Sequence, residues 1–223
     1  MSTFAEIKTN IKANLGDSDF YPDIDIDDSV QDAYDEIVAI SQCIVKKVTL
    51  AFISNLNYYN FRDLANFPAI YVADLMTVTA IFSNLTNQWL LDDKTLKDFD
   101  LIRSDWENWQ GAPLWWAPTN DYRRYAIAPK LNPITSTFDL YYLAKAPIVV
   151  NAEAPLIPSD FQNLIELYSC ADLLESAEEF VKAGNYWADF WGIRNGIQNY
   201  DSGIFALASR TKNIAKSNLL MIA

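Results

Sequence analysis

The residues able to do acid–base chemistry in this chain are carboxylates. None of the 223 residues is histidine, which removes Ser-His-Asp and Cys-His nucleophile systems and the usual zinc sites. Glycine occurs only six times and never as a phosphate-binding loop. What remains is Asp105 and Glu107, set among Trp106 and Trp109. A carboxyl flanked by tryptophans can have a raised pKa and protonate a glycosidic oxygen while the aromatics stack on sugar rings. The spacing opposes this, because residues two apart on a predicted helix do not share a face. A second candidate is Asp23-Ile24-Asp25-Ile26-Asp27, whose alternating carboxylates suggest a calcium loop. Counted from Asp23, an EF-hand loop needs Gly at its sixth position and Glu at its twelfth, where this chain has Asp28 and Tyr34. The nine carboxylates from Asp17 to Glu36, with no base among them, read instead as acid preceding and capping a helix N-terminus. No catalytic residue, metal or cofactor is expected.

Composition narrows the partners. Half of the chain is apolar (51%) and 14% is aromatic, ample for a packed core. A net charge of -12 argues against affinity for a phosphate backbone. Cys43 and Cys170 each fall in an apolar helical pattern and read as reduced, buried thiols, which suggests assembly in the cytosol. The first 20 residues have no signal-peptide pattern, and no stretch reaches the roughly 18 apolar residues of a membrane span. A soluble protein without a membrane partner is expected.

The elements that position these residues are organised around Trp109 to Phe161. Three apolar runs there, Leu114–Ala117, Tyr122–Ala128 and Thr137–Ala144, are bounded by Pro, Asn and Asp and predict an antiparallel meander. Before it, Phe4, Ile7, Ile11 and Leu15 predict a helix ended by Gly16, and Val30 to Val48 an apolar stripe over about 28–47 with Lys46 and Lys47 at its end. Val48–Ile53 and Leu75–Phe82 predict strands, 54–67 a surface loop, and Gln88–Leu91 a short strand. From Thr95, with Asp98 three residues on, a helix runs as far as Trp109. After Pro158 one stripe extends from Phe161 to Val181, Gly184 interrupts it, and another segment ends near Gly203. The last stretch, 202–223, carries Arg210, Lys212 and Lys216 and, after it begins, no acid.

Trp115-Trp116 and Tyr141-Tyr142 are adjacent pairs in strands, so one member of each faces away from the other. Where both sheet faces are covered this is core; otherwise Trp115, Trp116 and Tyr141 are candidate interface aromatics, with a carbohydrate platform as the minor case. The fold class expected is α+β, a helical bundle with an inserted antiparallel β-rich segment and an extended C-terminal segment. One domain is expected over 1–201, its helical parts at 28–47 and 159–200 and its β-rich insertion at 48–145, followed by a docking segment at 202–223.

The order of parts resembles the head-to-tail adaptor proteins of tailed bacteriophages. The matching stretches are Val30-Gln31-Asp32-Ala33-Tyr34-Asp35-Glu36-Ile37, Trp109-Gln110-Gly111-Ala112-Pro113, Ala126-Ile127-Ala128-Pro129, Phe138-Asp139-Leu140-Tyr141-Tyr142 and Ala154-Pro155-Leu156-Ile157-Pro158. Leu114-Trp115-Trp116 departs from the single aromatic usual after the Gly-x-Pro. The resemblance implies a virion structural protein of the neck, without catalysis, forming a homo-oligomeric ring of twelve subunits between the portal protein and a tail or nozzle protein. DNA would pass its lumen without specific binding. From the basic character of 202–223, and not from the resemblance, Arg210, Lys212 and Lys216 are expected to touch the portal or a neighbouring subunit. A stopper or tail-terminating ring is the alternative within the class, and a carbohydrate-binding module the alternative outside it.

Overall fold

The computed structural model describes residues 2–16, 20–92, 94–119, 124–131, 136–194, 196–198 and 201–211. It is an α+β protein of two compact units, one formed by 1–44 with 145–223 and the other by 45–144.

The first unit is helical. Helix α1 (Phe4–Leu15) opens on a capping box in which Thr3 Oγ1 accepts from Glu6 N and Thr3 N donates to the Glu6 carboxylate at 2.9 Å, and it closes on Gly16 at φ 76°. Helix α2 (Asp23–Ser41) begins directly after Pro22 and stops where Gln42 turns left-handed at φ 54°. The expected helix over 28–47 is thus displaced toward the N-terminus. Asp23 and Asp25 sit inside its first turn, favourable to the helix dipole but without a side-chain cap. Cys43 consequently lies beyond the helix, half-buried, while Cys170 is fully buried; both are free thiols.

Helices α4 (Asn163–Ser176) and α5 (Phe180–Trp191) divide what reads as one stripe from Phe161 to Val181. The break falls at Glu178, which adopts φ 62°, and not at Gly184, which lies inside α5. A hairpin, β8 (Ile193–Arg194) with β9 (Ile197–Gln198), leads into a further helix, α6, over residues 203–211. The helical segment expected to end near Gly203 therefore ends at Trp191, and the C-terminal segment starts as packed helix, with Ile204 and Leu207 fully buried. Lys8–Asp27 at 2.6 Å and the Lys12–Asp23 pair set α1 antiparallel to α2. Asn10 donates to Glu166 at 2.8 Å, and Asn14 reaches Cys170, so α1 and α4 run in the same direction. One end of the unit thus gathers the start of α2 and of α5. At the other end, Thr211 Oγ1 donates to Ser41 O at 2.7 Å.

Residues 145–158 form a strap on this unit. The Gln31 amide accepts from Val149 N at 2.8 Å, and the Tyr34 hydroxyl accepts from Leu156 N at 2.8 Å. Burial pushes the Tyr34 phenol up to about 12.

The second unit holds two sheets, with strand orders β1-β7-β3-β4 and β2-β6-β5, where β1 is Val45–Ala51, β2 Tyr58–Tyr59, β3 Leu75–Ser83, β4 Gln88–Trp89, β5 Trp115–Pro118, β6 Tyr125–Ala128 and β7 Thr137–Ala144. The expected meander is corrected: β5 pairs with β6, but β7 joins the other sheet between β1 and β3. Burial explains this, since Phe138, Leu140, Asp139 and Leu143 are all buried, and a strand covered on both faces takes a central place. Residues 122 and 123 of the second run lie outside the described residues. The stretch 54–67 is no surface loop throughout. Tyr59 and Phe61 are buried, their rings 5.8 and 6.0 Å from Phe138, itself 4.7 Å from Phe52. Helix α3 (Leu96–Ile102) has the expected Thr95–Asp98 capping box but ends early because Arg103 is extended; a separate 3₁₀ turn, Trp106–Asn108, follows. Together they pack Phe99 and Trp106 on Ala117, Ala126 and Ala128.

Lys46 and Lys47, expected at a helix end, stand on β1. Lys46 Nζ meets Asp74 at 2.6 Å, and Lys47 Nζ meets Asp139 at 2.6 Å. Asp139 also accepts from Thr49 Oγ1 at 2.6 Å and Asn84 Nδ2 at 3.4 Å, tying both neighbouring strands to β7. Desolvation alone would raise this carboxyl, but its donors prevail and hold it below the usual 3.8. A depressed folded-state pKa contributes stability that is complete above 3.8 and is lost as pH falls below it, through the folded value. Urea midpoints of this unit should therefore decline on acidification in that window, and Asp139→Asn should flatten the decline. An identical slope in the variant would contradict this.

Candidate interaction surfaces

The glycosidase-like carboxylates have other employment. Asp105 is ion-paired to Arg103 at 2.5 Å, which holds it below the usual range, opposite to what a general acid needs. Glu107 accepts from the Tyr58 hydroxyl at 2.6 Å. Among the described residues there is no group of three or more Asp, Glu, Cys or His able to hold a metal ion, and no helix long and apolar enough to cross a membrane.

The sequence-predicted aromatics fall into two environments. Trp116 is buried, its ring 5.8 Å from Tyr125. Trp115, its neighbour, is half-buried, its ring tilted against that of Trp109 at 5.8 Å, over which the Arg103 guanidinium stands at 5.7 Å. Trp109-Gln110-Gly111 is held there by the chain at Lys130: Lys130 N donates to Trp109 O at 3.0 Å and Gly111 N to Lys130 O at 3.0 Å. Exposed Leu91 and Leu114 adjoin it, Leu91 N donating to Leu114 O at 2.8 Å. Two tryptophans, an arginine and two leucines make a patch of interface-anchor composition. Tyr141 belongs to the other sheet; half-buried, it lies 5.1 Å from Trp89 and under Lys47 Nζ at 5.6 Å. Arg210 pairs with Asp160 at 3.1 Å and covers the Phe161 ring at 5.4 Å. Lys212 and Lys216 lie outside the described residues.

A second surface escaped the sequence. At the end of the helical unit where α2 and α5 begin, Phe20 is 62% exposed, Ile24 66%, Phe180 64% and Val181 85%. Lys182 lies within electrostatic reach of Tyr21, which brings the two helix starts together. Phe180 and Val181 read as core because the stripe was continued through Glu178; the adjacent Glu178-Glu179 pair was the available signal of a break. Along α2, Asp25, Asp28, Asp32, Asp35 and Glu36 are all exposed on one side, which carries no base.

Extended apolar surface, acidic helix faces and an inserted β unit define a scaffold built for association. The chain belongs to the SU10 adaptor protein family, whose model matches residues 2–209. It is thus a structural adaptor of a tailed phage. No curated protein sequence matches it.

Proposed function

We propose that the protein is a non-enzymatic head-to-tail adaptor that forms a ring, of twelve subunits as its resemblance to that group implies, between the portal and a tail or nozzle protein in the virion neck. Assembly takes place in the host cytoplasm. Residues 1–201 serve as the adaptor body and 202–223 as the docking segment, with Arg210, Lys212 and Lys216 contacting the portal or a neighbouring subunit. The observation that carries the reading, beside family membership, is the exposed acidic side of α2 in a chain of net charge -12. A channel wall that repels phosphate lets DNA slide, whereas a basic wall would grip it. Half-buried Trp115 and Tyr141 and the exposed apolar residues around Trp115 supply subunit contacts that a monomer would not need.

Native mass spectrometry of the 25.3 kDa chain, alone and mixed with its portal, tests this. The expected result is a complex of fixed ring stoichiometry with the portal. A chain that stays monomeric with every portal tried removes the reading; one that joins tail components but no portal is a stopper or tail terminator instead.

A further inference from the structure

Phe20, Ile24, Phe180 and Val181 form an exposed apolar end on the helical unit. Asp23 and Glu179 beside them are neutralised by Lys12 and Lys182, so exposed Asp25 and Glu178 leave the rim negative. The same chain carries a segment of the opposite character: residues 212–223 contain Lys212 and Lys216, no carboxylate side chain, and the apolar run Leu219-Leu220-Met221-Ile222. That segment departs from the opposite end of the unit, where Thr211 is bonded to Ser41 O. The 19 residues of α2 place about 27 Å between the two ends. To lie on its own chain's apolar end, the tail would have to run almost straight along the whole bundle and lose most of its conformational freedom. Head-to-tail neighbours meet no such demand, because two complementary patches at opposite ends of one body are what a heterologous interface requires.

We infer that residues 212–223 of one subunit dock on the Phe20, Ile24, Phe180 and Val181 end of a second copy, lysines against Asp25 and Glu178 and apolar residues against the rings. This deepens the ring reading, on which it rests, by naming the neighbour rather than the portal as the tail's partner.

Crosslinking of full-length chains tests it. In a Cys43→Ser background, one chain carries Val181→Cys and a differently tagged chain carries Lys216→Cys or Leu220→Cys. The remaining thiol, Cys170, is fully buried and unreactive. The two are mixed with a bismaleimide, both alone and with the portal. The expected product is the mixed-tag dimer as the main crosslinked species, reduced at least fivefold by Phe180→Glu in the first chain. No mixed dimer under either condition, or crosslinking only within one chain when both cysteines are placed together, overturns the inference. Portal binding is scored separately by native mass, so a chain that joins the portal without the crosslink keeps the adaptor reading and loses this one.

Discussion

Gly203→Ala is expected to destabilise the helical unit by roughly 2–5 kcal/mol, the sum of a left-handed backbone penalty and an overpacking penalty. Gly203 opens α6 at φ 64°, and a methyl there would stand 2.4 Å from Phe190 O and 2.5 Å from Gly192 N. Both are main-chain atoms at the end of α5, unable to swing aside as a side chain would. The displacement would also reach Ile204 and Leu207, which α6 buries just beyond. Thermal melting followed by circular dichroism should show a midpoint lower by about 10 °C. Gly184→Ala supplies the control of opposite sign. It lies inside α5 with nothing within 4 Å of the added carbon, so it should gain about 1 kcal/mol from helix propensity alone. Equal effects of the two substitutions would show that the contact at Gly203 does not exist as described.

Phe138→Ala should cost the β unit about 3–5 kcal/mol, as for other buried aromatic truncations. The ring is completely buried on central strand β7 and meets Phe52, Tyr59 and Phe61 at 4.7, 5.8 and 6.0 Å. Those partners come from β1's end and from the 54–67 stretch, so one deletion opens a void shared by several segments. The check is the urea midpoint read by tryptophan fluorescence, with Phe180→Ala for comparison. Phe180 is 64% exposed and its truncation should stay within about 0.5 kcal/mol. A loss below about 1 kcal/mol at Phe138 would mean that the aromatic cluster repacks freely.

What could be read from sequence was local. Helix α1 announced itself through the spacing of Phe4, Ile7, Ile11 and Leu15 and through Gly16, and α3 through Thr95 and Asp98, because spacing and capping are settled within a few residues. Strands β3 and β7 were legible from alternation. Their pairing was not: β7 meets β1 across some ninety positions, as Thr49 opposite Asp139 shows, and no neighbouring residue encodes that. The same remoteness hid the roles of Lys46 and Lys47, which satisfy a helix end as well as a strand until Asp74 and Asp139 are seen beside them. At the candidate surfaces, the Trp115-Trp116 pair said only that one of the two faces away from the other; that Trp116 is the buried one required knowing which sheet faces are covered. Phe180 and Val181 were hidden for the reverse reason. They continue an apolar period past a break made by one residue, Glu178, in a conformation that nothing in its side chain demands.

The register Val45 opposite Leu143 joins the first and last strands of the inserted unit. Its entry and exit are therefore one strand spacing apart, about 5 Å. For the helices this changes the order of assembly. Bringing α2 against α4 with the insertion unfolded means closing a loop of about 120 residues; with it folded, about twenty remain, 42–44 and 145–162. Loop-closure entropy puts the difference at about 1.5 kcal/mol. The β unit is in this sense an intramolecular template for the contact between α2 and α4.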